Sequence, residues 1–350
     1  MAGPRGYRQY RGRTSKVKVA AAILLVLVIL AAVVVMLFQR HLVYDETGTP
    51  HLELPWETEK PEEEPTPSVQ EEMDLTIEAP EEIPAEKVVV RAYAMPVGVL
   101  AADNWVTVQS VMDLAVPSYD TVVVTLKDDT GKVYFDSGAA VSGAVKTAED
   151  TAAVLAEIVS GGRNAVARIS CFHDPRAANS FLETMGLKNT GGYIFYDGKN
   201  SQWMDPSKEA ARQYLYDLAR EAAELGFDEI LLSDVGYPLE GKLDKIAYGE
   251  VDREATLKTF VQEMREVLEP YSVALSVEVP EAVVAEGRSD AAGWSLTGVV
   301  PMVDRLYGAA TAELAVQYGE KVAAVNDSVL YIPVVEASGP LAEGSSMVLG

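Results

Sequence analysis

Cysteine and histidine are scarce in this chain. Cys171 is the one thiol among 350 residues, so no disulfide framework can form within it. Of the three histidines, His41 and His51 lie far upstream of His173, which excludes a zinc site built from several imidazoles. Bases are outnumbered, 29 Lys and Arg against 53 Asp and Glu, and a formal charge of -24 argues against nucleic acid as a partner, because phosphate contacts need a basic surface. A G-x-S-x-G elbow, a Walker loop and a Gly-x-Gly-x-x-Gly following a strand are all missing, which disfavours lipase, NTPase and dehydrogenase chemistry. No cofactor and no metal is expected.

The charge is segregated along the chain. Residues 1–40 carry seven bases and no acid, residues 41–86 carry fifteen acids and only Lys60, and residues 87–350 hold 38 acids and 21 bases. Between the basic tail (1–18) and the acidic strip lies an apolar run, 19–38, of twenty residues without a polar side chain. As a helix it would span roughly 30 Å, the thickness of a bilayer core. A core helix normally keeps a polar face. A cleaved signal has a shorter apolar region, usually about 7 to 15 residues, ending in small residues, whereas this run ends Met36, Leu37, Phe38. The expectation is an uncleaved anchor contacting the lipid bilayer through 19–38. With six bases before it, the positive-inside rule makes this a single-pass cell-membrane protein with a cytoplasmic N-terminus and an extracellular C-terminal domain. Residues 41–86 also contain seven prolines and little apolar material, so they are expected to form a disordered, self-repelling stalk.

From 87 to 350 the pattern becomes an alternation of strands and helices. Apolar, β-branched runs occur at 88–94, 121–126, 165–171, 229–234, 273–279, 297–303, 329–335 and 347–349, with helical stretches at 105–114, 148–159, 206–225, 253–268 and 312–325. Such alternation implies a parallel sheet covered by helices, and eight strands in 264 residues favour an α/β (β/α)8 TIM barrel over an open sheet. After Val335 only fifteen residues remain, so the seventh helix is expected to be replaced by a loop at 337–345, with 346–350 as the eighth strand. The third helix is the best marked: Asp205 suits the N-cap, Pro206 the first position and Gly226 the end, with Tyr214, Leu218, Ala222 and Leu225 on one face.

Several stretches are similar to a known family. Trp203, Met204, Asp205, Pro206 and the run from Arg220 through Leu225, Gly226, Phe227, Asp228 to Ile230 resemble a bacterial glycosyl hydrolase domain family. So do Leu126 to Gly131, the group Ala167, Arg168, Ile169 with Phe172, His173, Asp174, Pro175, and, more weakly, Pro301, Met302, Val303. The resemblance covers most of 88–305 and implies a TIM barrel of the α-amylase type, often tethered outside the cell. The family usually ends its fourth strand FDYVRFP, where this chain reads Leu232, Ser233, Asp234, Val235, Gly236, Tyr237, Pro238. Ser233 stands at the usual Asp and Gly236 at the usual Arg. Asp234 comes one residue later, which strand periodicity would turn to the opposite side unless a bulge intervened. On strand six Asp304 replaces the usual tyrosine.

Glycoside hydrolysis needs two carboxyl groups, and a barrel presents them at the C-terminal strand ends. The expected strand ends offer Asp128 and Asp129, Asp174, Asp234, Glu278, Asp304 and Glu336. Asp234, Glu278 and Asp129 are the catalytic candidates. Lys127, Arg168, Asp174, Trp203, Tyr237 and Asp304 are the candidates for substrate binding. Each has a plainer reading. Asp128 and Asp129 precede Thr130 and Gly131 and equally suit a hairpin turn. Asp174 before Pro175 suits a helix cap. Glu278 must face the mouth or find a partner, for which Lys127 and Arg168 are available, as substrate ligands or as a neutralised structural network. Aromatic faces that could stack on sugars include Tyr93, Trp105, Tyr196, Trp203, Tyr237, Trp294 and Tyr307. The expected function is a membrane-anchored hydrolase of cell-wall or surface polysaccharide. The alternative is an inactive glycan-binding or scaffolding barrel, since the departures fall where a catalytic carboxylate is expected.

Overall fold

Short runs rich in Val, Ile, Leu and Ala, most of them buried on both faces, become parallel strands here. The computed structural model describes residues 42–44, 50–52, 88–101, 118–336, 340–341 and 343–350. Its eight barrel strands are β1 (Arg91–Ala94), β2 (Thr121–Lys127), β3 (Asn164–Ser170), β4 (Glu229–Ser233), β5 (Ala274–Val279), β6 (Arg305–Ala309), β7 (Leu330–Val335) and β8 (Ser346–Leu349). They pair in chain order, all parallel, and β8 closes on β1 through Met347 opposite Ala92. Following the register from Ala92 through Thr121, Asn164, Glu229, Ala274, Arg305, Leu330 and Met347 returns to Ala92 offset by about eight residues, the shear of a (β/α)8 barrel.

Alternation along each strand divides the apolar side chains into two cores. Val123, Val166, Leu231, Tyr307, Ile332 and Met347 fill the barrel interior. Val122, Val124, Leu126, Ala167, Ile169, Ile230 and Leu232 point outward into the larger core beneath the helices. The small Ala92 and Ala94 make room for Tyr307 in the interior. At the N-terminal end of the interior, fully buried Glu229 accepts a hydrogen bond from Tyr307 Oη at 3.1 Å and pairs with Arg305. Burial and then the Glu229 charge push the Tyr307 phenol well up, so it remains a donor.

Helices α1 (Thr151–Ser160), α2 (Pro175–Ser180), α3 (Glu209–Glu224), α4 (Arg253–Leu268), α5 (Glu281–Ala285), α6 (Leu296–Val299) and α7 (Ala312–Ala323) surround the strands. The expected helix at 105–114 lies outside the described residues. Helix α3 starts later than its sequence signals suggest. Lys208 holds the N-cap position, while Asp205 accepts from Ser207 N–H at 3.0 Å and Ser207 Oγ–H at 2.7 Å in a turn ahead of the helix. Tyr214, Leu218 and Ala222 are buried as expected, but Leu225 lies past the helix end and is exposed.

The expected sixth strand, 297–303, is instead helix α6 and the 3-10 turn Val300–Met302, and the strand follows it at Arg305–Ala309. A short apolar run does not by itself distinguish strand from helix. Pro301 has no N–H to give a ladder, which leaves the pairing to the residues after it.

The chain divides into two units, Met1–Ile83 and Pro84–Gly350. In the first, Leu42–Tyr44 pairs antiparallel with Pro50–Leu52, with Leu42 opposite Leu52. The beginning of the expected stalk is therefore paired, because its apolar and β-branched residues precede the densest acids and prolines. The rest of the stalk and the expected anchor at 19–38 lie outside the described residues, among which no helix is long and apolar enough to cross a membrane.

Strand β8 is the lightest seam. It matches four residues of β1 but only two of β7, Val334 with Met347 and Val335 with Val348, and no helix occurs among the described residues joining β7 to β8. Amide hydrogen exchange should therefore be faster in 346–349 than in β2 to β4; equal protection would contradict this.

Candidate active site

The C-terminal ends of β3, β4 and β5 form a cleft of about 230 Å³ lined by Arg168, Trp203, Ser233, Asp234, Tyr237, Glu278 and Glu281, among others. Two of the three expected catalytic carboxylates, Asp234 and Glu278, meet here. Glu278 faces inward from β5, and Arg168 faces inward from β3. The guanidinium donates through Nη2 at 2.8 Å and Nε at 3.0 Å to the same Glu278 Oε2, with both side chains about a quarter exposed.

Asp234 reaches the cleft by a backbone device other than a bulge. Strand β4 ends at Ser233, whose inward side chain is 4% exposed, and Asp234 then adopts φ +53. That left-handed conformation ends the two-residue alternation and brings the carboxylate to the mouth. Its Oδ2 accepts from Ser170 Oγ at 2.7 Å, while its carbonyl accepts from Phe172 N–H at 3.1 Å and Gly236 N–H at 3.1 Å. The glycine at 236 has a steric reason: a Cβ there would lie 2.7 Å from Ala292 O. The approaching segment is held by Trp294, whose indole N–H donates to Val235 O at 2.7 Å.

Trp203 and Tyr237 supply the aromatic lining. The Trp203 ring stacks on His173 at 4.4 Å and 4°, and its Nε1–H donates to Asp197 Oδ2 at 2.9 Å. Asp197 is in turn fixed by Lys199 and Ser201 N–H groups, and His173 by Ser201 Oγ at 2.8 Å. Burial alone would raise the Asp197 carboxyl, but hydrogen bonds from Trp203, Ser201 and Lys199 hold it below the usual range. Tyr237 packs edge-on against Tyr248; burial and then the Asp205 charge push its phenol up, so it stays neutral.

The other candidates lie elsewhere. Asp129 is exposed on the hairpin turn that follows β2, with Gly131 at φ +74, and takes no part in the cleft. The turn is organised by Asp128, which accepts from Thr130, Lys132 and Tyr134; these bonds overcome its burial and lower its pKa. Lys127 and Asp174 pair with each other at 3.0 Å, both fully buried. The register slips between Thr125 and Lys127, moving Lys127 beside outward-facing Ile169, so the ammonium lies under α2 instead of in the mouth. Asp174 is the N-cap of α2, accepting from Ala177 N–H at 2.8 Å. Asp304, expected at a strand end, precedes β6 instead, at the opposite end of the barrel, where it accepts from Leu275 N–H at 2.8 Å and Arg265 at 3.3 Å. Of the remaining aromatics, Tyr307 and Trp294 are buried and Tyr196 is outside the lining. Trp105 lies outside the described residues.

Sequence reasoning missed Glu281 and Ser170. Glu281 follows Pro280 directly after β5, a strand-end signal that the expected strand boundary at 279 left readable. The Cys171 thiol is fully buried, and burial pushes it far up, which removes it as a nucleophile. Among the described residues no group of three or more His, Cys, Asp or Glu is placed to hold a metal.

Residues 97–308 match the family described as “Putative glycosyl hydrolase domain”. No curated protein matches the chain. Among solved structures, a hypothetical protein from Ruminiclostridium thermocellum is 27% identical over 53% of this chain and 96% of that one, with a TM-score of 0.46. The PgaB (BpsB) glycoside hydrolase domain from Bordetella bronchiseptica is 11% identical over 75% of this chain and 94% of its own, with a TM-score of 0.55, a likeness of fold alone. Ega3 of Aspergillus fumigatus, in complex with galactosamine, is 11% identical over 75% and 92%, with a TM-score of 0.43.

A buried ion pair that loses one partner leaves an uncompensated charge. Lys127→Met should therefore lower the stability of the barrel by about 3 kcal/mol in urea unfolding. A loss below about 1 kcal/mol would show that the Ala177 N–H and the start of α2 stabilise the Asp174 charge without Lys127.

Proposed function

Since the chain belongs to this glycosyl hydrolase domain family, we propose that it hydrolyses cell-wall or surface polysaccharide, with Asp234 and Glu278 as the two carboxyl groups. What carries the reading is that both line one cleft at the C-terminal end of a closed barrel, beside Trp203 and Tyr237. Hydrolysis requires one carboxyl to protonate the departing glycosidic oxygen and another to attack the anomeric carbon or take a proton from water. The partners separate the roles. Glu278 is ion-paired with Arg168 and suits the charged role, leaving Oε1 without a partner among the described residues. Asp234 meets hydroxyls and no cation among the described residues, and suits the proton donor.

The anchor belongs to the same proposal. The apolar run 19–38, its basic flank and the acidic segment after it support a tether that holds the barrel outside the cell, with the N-terminus in the cytoplasm. Deleting residues 1–40 should move the protein from the membrane to the soluble fraction; persistence in the membrane would remove this part of the reading.

A second reading has its own support. Ser233 lines the cleft at the position where the family pattern has Asp, which favours a barrel that binds glycan without cleaving it. The soluble fragment 87–350 separates the two on a panel of oligosaccharides. Cleavage that falls at least about a hundredfold in Asp234→Asn and in Glu278→Gln supports the hydrolase. Retention without turnover, lost in Trp203→Ala, supports the binding barrel, and neither result on any wall fraction would sink both.

A further inference from the structure

The cleft carries one more carboxylate than hydrolysis uses. Glu281, the first residue of α5, lines the same cavity as Asp234 and Glu278 but stands exposed at its rim. It is fixed in position: Oε1 accepts a 2.9 Å hydrogen bond from Tyr318 Oη on α7, a phenol that is itself buried. That hydrogen bond, ahead of burial, raises the Tyr318 pKa, so the tyrosine stays the donor. No lysine or arginine pairs with Glu281 among the described residues.

The cations nearby are engaged elsewhere: Lys321, 5.5 Å from the Tyr318 ring centroid, donates to Ala285 O at 2.6 Å and makes no ion pair with Glu281 among the described residues. Arg168 is the one base among the lining residues, and both of its bonding nitrogens are taken by Glu278 Oε2. Arg253 lies over the Tyr237 ring, 5.9 Å from its centroid, and outside the lining. The connections 102–117 and 337–339 contain no lysine or arginine in their sequence, so they add none. A separate observation points to a ligand with polar groups. Tyr237 is 3% exposed and lines the cleft, yet its hydroxyl makes no hydrogen bond among the described residues. That hydroxyl is not one of the fully buried unpaired polar atoms, so it keeps contact with solvent and is open to a polar group of a ligand.

We propose that Glu281 recognises an ammonium group on the sugar chain, so that the substrate is a glycan with free amino groups, as in 2-amino-2-deoxyhexose units, and not a uronic-acid or fully N-acetylated polymer. The proposal rests on the glycan reading of the cleft. A charged donor facing a positioned carboxylate gives a short, strong hydrogen bond, whereas an acetamide brings no charge and a uronate brings repulsion. Glu281 is a specificity residue in this scheme and makes or breaks no bond.

The test is calorimetric titration of the full-length protein with glucosamine oligomers, their N-acetylated counterparts and galacturonate oligomers. The amine-bearing chains should bind at least about tenfold more tightly than the acetylated ones, the scale of a hydrogen bond to a charged group. Glu281→Gln should bring that ratio close to one, and Tyr318→Phe should reduce it in part. Because Glu281 is exposed, the melting temperature of E281Q reports whether the fold is intact. Equal affinity for amine and acetylated chains, or an unchanged ratio in a folded E281Q, would overturn the proposal and leave the glycan cleft standing. If none of the three oligomers binds, the reading of the cleft fails, and this proposal fails with it.

Discussion

An eight-stranded parallel sheet can close only if its strands tilt and its register steps by a fixed amount, and that closure sends every second side chain into one narrow interior. The register here steps by about eight residues, so side chains from non-neighbouring strands arrive at the same level. Two polar levels result. The lower one joins Glu229, Arg305 and Tyr307, and the upper one joins Arg168 and Glu278. Val123, Val166, Leu231 and Ile332 fill the space between. In the lower group the Glu229 carboxylate has no exposure although its Arg305 partner is about a quarter exposed, so the buried carboxylate needs its pair to be tolerated. The upper pair is about a quarter exposed and opens into the cleft, where a ligand can compete for it. The same kind of ion pair thus closes one end of the barrel and equips the other.

The strands were legible where burial on both faces leaves an unbroken apolar run, as in Thr121–Lys127 and Glu229–Ser233. They were illegible where the run was short and a proline decided the outcome, as at Pro301, and that single displacement moved Asp304 from the mouth to the opposite end. Lys127 was misplaced for a different reason. Its position in the alternation depends on a slip of one residue in the pairing with β3, which belongs to the neighbouring strand as much as to its own. Asp129 and Asp174 sit in signals that fit a turn and a cap as well as a strand-end acid; the hydrogen bonds of Asp128 made the turn that leaves Asp129 exposed, and Asp174 took the cap. Glu278 and Arg168 were legible because alternation alone placed them, whereas Trp203 and Tyr237 lie in the connections after β3 and β4 and were legible only as aromatic residues in loops.

Asp234 lies between these cases. Its residue type and its neighbourhood were readable, but its direction depended on a φ of +53 that no periodicity encodes. An aspartate adopts that conformation at a cost of roughly 1–2 kcal/mol. Three hydrogen bonds, to its carboxylate from Ser170 and to its carbonyl from Phe172 and Gly236, can offset it at about 1 kcal/mol each. The third of these needs the chain to turn immediately, into the space beside Ala292 O where a β-carbon at position 236 would collide. The departures at Ser233, Asp234 and Gly236 are therefore coupled. With Ser233 occupying the inward strand position, the carboxylate has to come from the next residue. That residue must leave the strand conformation to face the mouth, and the turn that follows it admits only glycine. A substitution at any one of the three positions acts on the other two, so restoring the family's Asp at 233 would place a second carboxylate beside Asp234 instead of replacing it.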